Sequence, residues 1–430
     1  MEFNMYKTKI ILLTLLINLA LTILIHAQEN SSKEQLHQKY SQALYSIGSE
    51  KYEQAIAILK EIIEQNPDMS KAYIKLAQVL NRSKNWNAAI EYYIKQLEKH
   101  PYNPFILHAI GYCFLNQKKY SDAQEKFLMS LEIKPDYSQC IKNYVIVMDK
   151  LKKLDEAVHY LNEHINSDNK NAAAYFGLGY LYQLQKKWEH GLKNLDKALE
   201  LNKYLFDAYY TKGIIYFYSG NFQDLLRSSQ IALELSKNKN DLEFQCNFSA
   251  NIGLAYSSLS DYSEALKYYK QSLKIAREIG YRKEEMRTLG NIAVIYRDLG
   301  KFTNALNYLN DALLIANQTG NKRQEGLCLR NIGTVYQFKN NYSKALDYYN
   351  QALPIIIEVG DQQIEGLVHW SLGMVYWIFG NFIEALKSYE KALKIAITMN
   401  DKWGKERYLT SIGFIYWNLE NYNKALDCYH

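Results

Sequence analysis

Along this chain, apolar and polar positions alternate with helical spacing, and the spacing itself repeats at fixed intervals. A small residue recurs at Ala55, Ala89, Ala123, Ala157 and Gly191, each 34 positions from the last. Leu225 continues that register, and Ala265, Ala305, Ala345, Ala385 and Ala425 then follow at intervals of 40. An aromatic residue or Leu stands three positions before each marker, from Tyr52 and Trp86 to Phe382 and Tyr422. Four positions after most markers comes another large side chain: Leu59, Tyr93, Phe127, Leu161 and Leu195, then Tyr269, Leu309, Tyr349, Tyr389 and Tyr429. Twelve positions before, a small residue returns, as at Gly111, Gly179, Gly213, Gly253, Gly333, Gly373 and Gly413. Self-similarity at such a period signals a repeat architecture.

The physical reading is a series of helix pairs. Two helices approach to about 8–10 Å only where the crossing carries little side chain. Each pair leaves one face uncovered, so neighbours must stack to bury it. A propeller of similar period would need strand alternation and turn clusters, which are missing. Composition agrees: the chain has only 5 Pro but 38 Tyr, few helix breakers beside many bulky side chains.

These positions resemble the tetratricopeptide repeat, with its small residue at the crossing of two antiparallel helices and Pro near the unit's end, here Pro67, Pro101 and Pro135. The resemblance spans residues 32–430. It implies an all-α fold, a right-handed α-solenoid of stacked antiparallel helix pairs. Six repeats of 34-residue period are expected over 32–237, and five of 40-residue period over 242–430, the last incomplete. The longer variety looks like that of kinesin light chains, spindle-orientation adaptors and the repeats preceding CHAT-type proteases. Gly280, Gly320, Gly360 and Asn400 are placed to cap helices in the left-handed conformation. Six extra residues per unit predict longer helices. Leu225 and Ser229 break the pattern in the sixth unit, which predicts a change of curvature before the polar Ser236–Asp241 stretch. Pro354, inside a second helix, is expected to kink it.

Residues 1–27 differ from the rest. Lys7 and Lys9 precede an apolar run from Ile10 to Ile25, then Ala27 and a polar stretch. This reads as a secretory signal peptide or, if uncleaved, a membrane anchor through residues 10–25. Either places the repeats outside the cytoplasm, periplasmic, extracellular or membrane-anchored.

Net charge is +6, from 51 basic and 45 acidic residues. That balance, without a run of five like charges, argues against nucleic acid as a partner. The five cysteines are scattered and form no CxxC, so neither a disulfide framework nor a zinc site is expected. They read as small buried helix residues. GxxxxGK[ST] and HExxH are absent. Gly177-x-Gly179 falls inside a helix and reads as packing. No catalytic residue, metal site or cofactor is assigned.

Candidate binding residues lie on the first helices of the second array. One i, i+4, i+7 stripe contains Gly290-Val294-Arg297, Arg330-Thr334-Gln337, Trp370-Met374-Trp377 and Thr410-Phe414-Trp417. Asn251, Asn291 and Asn331 recur at one repeat position, with Asn143 in the first array. By resemblance to the kinesin light chain type, asparagines here would hydrogen-bond the backbone of a peptide in a concave groove. Arg287, Arg297 and Arg330 would favour an acidic segment, and Trp370, Trp377 and Trp417 would offer apolar pockets. The same Asn and Trp residues could instead pair and pack between repeats. The carboxylate-clamp pattern of chaperone-binding repeats is not matched, since Tyr40, Leu44 and Lys75 occupy its positions.

The expectation is an exported interaction scaffold binding proteins or peptides, and not an enzyme. The alternative is the non-catalytic recognition or sensor region of a longer protein, such as a CHAT-type protease or a sensor kinase. The final repeat stops within its second helix, which keeps that alternative open.

Overall fold

A computed structural model describes residues 35–430, apart from 37, 50 and 81–85. The predicted leader or anchor, residues 1–27, lies outside the described residues. These are helical almost throughout, with no strand among them. In order they form α1 (38–48), α2 (Tyr52–Gln65), α3 (Ser70–Leu80), α4 (Trp86–Lys99), α5 (Pro104–Asn116), α6 (Tyr120–Ile133), α7 (Ser138–Lys150), α8 (Leu154–Ser167), α9 (Ala172–Leu184), α10 (Trp188–Leu201), α11 (Phe206–Tyr218) and α12 (Phe222–Asn238). There follow α13 (Leu242–Ser258), α14 (Tyr262–Glu278), α15 (Arg282–Asp298), α16 (Phe302–Gln318), α17 (Lys322–Phe338), α18 (Tyr342–Val359), α19 (Gln362–Ile378), α20 (Phe382–Thr398), α21 (Lys402–Asn418) and α22 (Tyr422–Tyr429). The fold is all-α, an α-solenoid of stacked antiparallel pairs.

Packing divides the chain into two compact units: Met1–Asn251 with Arg277–Tyr281, and Ile252–Ala276 with Arg282–His430. The repeat period changes earlier, between α12 and α13.

In both units the recurring markers form the crossings. Ala55, Ala89, Ala123 and Ala157 are fully buried, as are Ala265, Ala305, Ala345 and Ala385. The preceding glycines seat the large side chain four positions after the marker. A Cβ on Gly111 would stand 2.6 Å from Phe127, on Gly333 2.7 Å from Tyr349, and on Gly373 2.5 Å from Tyr389. A side chain at any of these would overpack the pair, at about 1–3 kcal/mol.

The sixth pair solves the same problem differently. The space beside Gly213 is filled by Leu225, whose Cδ1 would lie 3.3 Å from an added Cβ, and Ser229, where a large residue usually stands, is buried. The large and small partners have exchanged places, so volume is conserved. Pro354 lies inside α18, which runs from Tyr342 to Val359 without a break.

Helix ends are set by short polar signals. Gly280, Gly320, Gly360 and Asn400 adopt φ of 64°, 63°, 74° and 52°, the left-handed caps expected from sequence. After three of them an Asx side chain begins the next helix: Asn321 accepts from the Gln324 amide, Asp361 from Ile364 and Asp401 from Gly404. Each such cap contributes about 1 kcal/mol. Within the pairs, turns also use left-handed residues that the sequence reading missed, at Lys118, Lys152 and Lys186, then Ser260, Asn340 and Glu420. Four of the cysteines, Cys113, Cys140, Cys246 and Cys328, are buried, and all five are free thiols.

Candidate functional site

In the second unit the helices α15, α17, α19 and α21 present the predicted stripe as a chain of contacts from helix to helix. The Arg297 guanidinium lies over the Phe338 ring at 5.1 Å. Gln337 reaches Met374 Sδ. Trp370 Nε1 donates to Ser411 Oγ at 3.2 Å, and the Arg407 guanidinium covers the Trp370 ring at 5.3 Å. Trp377 meets Phe414 edge-on at 5.3 Å, and Phe414 stacks on Trp417 at 6.0 Å. The face therefore grades from cationic and amide side chains on α15 and α17 to aromatic ones on α19 and α21. Trp370 and Trp377 are partly buried by these contacts, whereas Trp417 is 55% exposed.

The predicted asparagines are not equivalent. Asn251, in the first unit, is buried, its amide nitrogen packed against Gly213. Asn291 lies beside Tyr269, a buried phenol whose pKa burial raises. Ser371 stands at the same repeat position beside Tyr349, but its Oγ donates to the Leu367 carbonyl, and the Tyr349 hydroxyl donates to Gln337 Oε1. Asn331 has no such tyrosine, because Leu309 occupies the position four after its marker. Its Oδ1 accepts instead from Arg330 Nη1 at 3.1 Å. In the first unit Asn143 pairs with His108 Nε2 at 2.8 Å, and His108 Nδ1 lies 2.7 Å from the Tyr137 hydroxyl. With the Asn143 amide donating, Nδ1 carries the ring proton and donates to Tyr137. Burial drives the His108 pKa down to about 3.

The arginines also separate. Arg287 is locked to buried Glu284 three residues earlier, Nε to Oε2 at 2.8 Å. Arg297 pairs with Asp298 at 2.7 Å. Arg330 has no carboxylate partner among the described residues, and its Nε is buried without an acceptor. Burial lowers its pKa, and Arg297 and Arg407 add to that effect while Tyr349 opposes it. Arg407, at the edge of this cluster, was not singled out from sequence. No metal-binding group of His, Cys, Asp and Glu occurs among the described residues. Nor is any described helix long and apolar enough to cross a membrane.

Stacked antiparallel pairs with a small residue at every crossing define a helical repeat protein. Three family models, each described as a tetratricopeptide repeat, match residues 46–104, residues 204–278 and 284–358, and residues 368–396 and 406–429. The chain belongs to the tetratricopeptide repeat family. Among curated proteins it is similar to the human protein O-mannosyl-transferase TMTC3, 27% identical over 168 residues, covering 38% of this chain and 18% of that protein. It is 24% identical over 203 residues to the Hsp70-Hsp90 organizing protein of Triticum aestivum, covering 45% of this chain and 34% of that one. The chain thus spans about a third or less of these relatives. Among solved structures, a signal transduction ATPase with a tetratricopeptide repeat sensor from Pyrococcus horikoshii aligns with a TM-score of 0.54 at 16% identity, over 76% of this chain and 52% of that one. A Rap protein complexed with competence and sporulation factor aligns with a TM-score of 0.50 at 17% identity, over 68% and 95%. These likenesses show a shared fold.

Proposed function

We propose that the chain is an exported, non-catalytic scaffold that holds extended peptide segments in a groove lined by α15, α17, α19 and α21. The observation that carries this reading is the side-chain face from Gly290 to Trp417, which offers cations, amides and aromatic rings in sequence along one stretch of the solenoid. Hot spots of binding surfaces favour the same side chains, Trp, Tyr and Arg. The family supports protein or peptide partners, and the similar Rap protein is complexed with competence and sporulation factor. Export rests on the basic-then-apolar pattern of residues 1–27, with residues 10–25 as the anchor if the segment is retained.

A random short-peptide library displayed against the full chain tests the groove. Gly290 offers a probe that leaves the packing alone, since no atom lies within 4 Å of where its Cβ would stand. Peptides selected on the native chain should lose binding to Gly290→Leu, while its melting temperature stays close to native. Binding that survives this substitution would place the ligand elsewhere.

A further inference from the structure

In a solenoid each helix pair touches its neighbours in the stack. The first unit follows that rule, with α3 beside α5, α5 beside α7, α7 beside α9 and α9 beside α11. One contact departs from it. α3 belongs to the second pair and α13 to the seventh, yet Lys71 Nζ donates to Asp241 Oδ2 at 2.7 Å and Lys75 Nζ lies 3.3 Å from Glu243 Oε1. Lys71 also stands 3.9 Å from Glu243 Oε2 and 4.9 Å from the centre of the Phe244 ring. Spaced i, i+4, the two lysines share one face of α3. Asp241 is aimed by its own helix: Oδ1 accepts from the Phe244 amide and caps α13, which leaves Oδ2 for Lys71. Beside this contact the Gly280 link meets the backbone of α1, where an added Cβ would stand 2.6 Å from the Leu44 carbonyl oxygen.

The contact is polar and loosely filled. Between its two sides lies a cavity of about 420 Å³ whose apolar walls are Leu36, Leu44, Met69, Leu242 and Ile279. The stacked pairs, by contrast, bury their crossing residues completely. The side chains of Lys71 and Asp241 are 31% and 19% exposed, those of Lys75 and Glu243 22% and 16%. Burial presses the Lys71 amine down, but Asp241 and Glu243 outweigh it and hold its pKa above the ordinary lysine value, so the amine stays protonated. Ion pairs that water still reaches are weak singly and are screened by salt. No helix pair needs this contact in order to stack, so it can part while every pair stays folded.

We propose that Lys71 and Lys75, paired with Asp241 and Glu243, form a charge latch that closes the first unit on itself, and that rising ionic strength opens it and turns the apolar walls of the cavity to solvent. The latch is independent of the groove reading, since all four of its residues lie in the first unit.

The test places spin labels on the full chain at Glu64 on α2 and at Asn238, the end of α12, both exposed, and reads the distance between them by pulsed electron resonance. At low salt the native chain should give one short distance. Lys71→Glu with Lys75→Glu should lengthen it by at least about 10 Å, one helix spacing, with the helical circular dichroism unchanged. Adding Asp241→Lys and Glu243→Lys reverses both partners and should bring the short distance back. In the native chain, raising salt from about 0.05 M to about 1 M should populate the long distance. An unchanged distance in the double reversal or at high salt would overturn the latch. So would a fourfold variant that stays long, or a long distance that appears only with loss of helical signal.

Discussion

The two units are built from the same crossing, yet they end their helices and balance their polar groups in different ways. In the first, second helices such as α4, α6, α8 and α10 run 14 residues. Those among α6, α8 and α10 stop in extended backbone, with C-cap φ of −134° at Lys134 and −141° at Asp168 and Asn202. In the second, α16 and α20 run 17 residues, and left-handed Gly or Asn residues close the units. Two turns of φ > 0 per repeat allow longer helices with short, rigid links. The first unit also ties distant parts together: Lys71 on α3 bonds Asp241 at 2.7 Å, 170 positions away, and Lys75 pairs with Glu243 at 3.3 Å. Its buried polar groups include the mutually bonded His108–Tyr137–Asn143 cluster. On the first-helix face of the second unit, the Nε of Arg330 is buried without an acceptor.

The largest expected effect sharpens the contrast of buried histidines, one in each unit. Burial lowers His108 to about 3 and His369 to about 4 from the ordinary 6.5. Both are therefore neutral in the folded state, while the unfolded chain takes up protons near pH 6.5. Stability is full above that value and falls as pH drops toward 4, by on the order of 3 kcal/mol per imidazole. Urea unfolding between pH 7 and 4 checks this, and His108→Gln should flatten the profile.

Next comes the exchanged pair. Leu225→Ala should cost about 2–5 kcal/mol by leaving a cavity beside Gly213, and adding Ser229→Leu should recover part of it. Non-recovery would mean the sixth pair does not follow the packing rule of the others. Gly280→Ala should destabilise more than Gly320→Ala. Both need φ > 0, at about 1–2 kcal/mol of strain, but a Cβ on Gly280 would also stand 2.6 Å from the Leu44 carbonyl oxygen, whereas Gly320 faces open space. Equal melting temperatures would remove that close approach. Smallest is Tyr349→Phe, which removes the hydroxyl that donates to Gln337 Oε1 at 2.6 Å and should cost about 1 kcal/mol.

Much of the fold was legible because its rule is steric and periodic. A residue small enough for a crossing recurs at fixed intervals, and the large partner four positions on can be read beside it. Left-handed caps at Gly320 and Asn400 follow from residue type. What failed to show was compensation. Leu225 breaks the small-residue pattern in sequence, and only the structure sets Gly213 and buried Ser229 beside it as its complement. Lys118 and Lys152 adopt left-handed backbone with no sequence signal. Within the candidate face, residue types and stripe were readable but pairing was not. Three asparagines at one repeat position looked alike, although their roles diverge according to whether Tyr269 or Leu309 lies across the helix pair. Arg287 and Arg330 looked interchangeable, although Glu284 neutralises only the first.

The most direct measurement is photo-crosslinking of a selected peptide to the full chain carrying a benzophenone amino acid in place of Val294 or, separately, of Ile383. Val294 lies on the first-helix face of α15, and Ile383 is 68% exposed on the second helix α20. The account predicts capture from position 294 and little from 383. Equal capture from both, or capture from 383 alone, would contradict it.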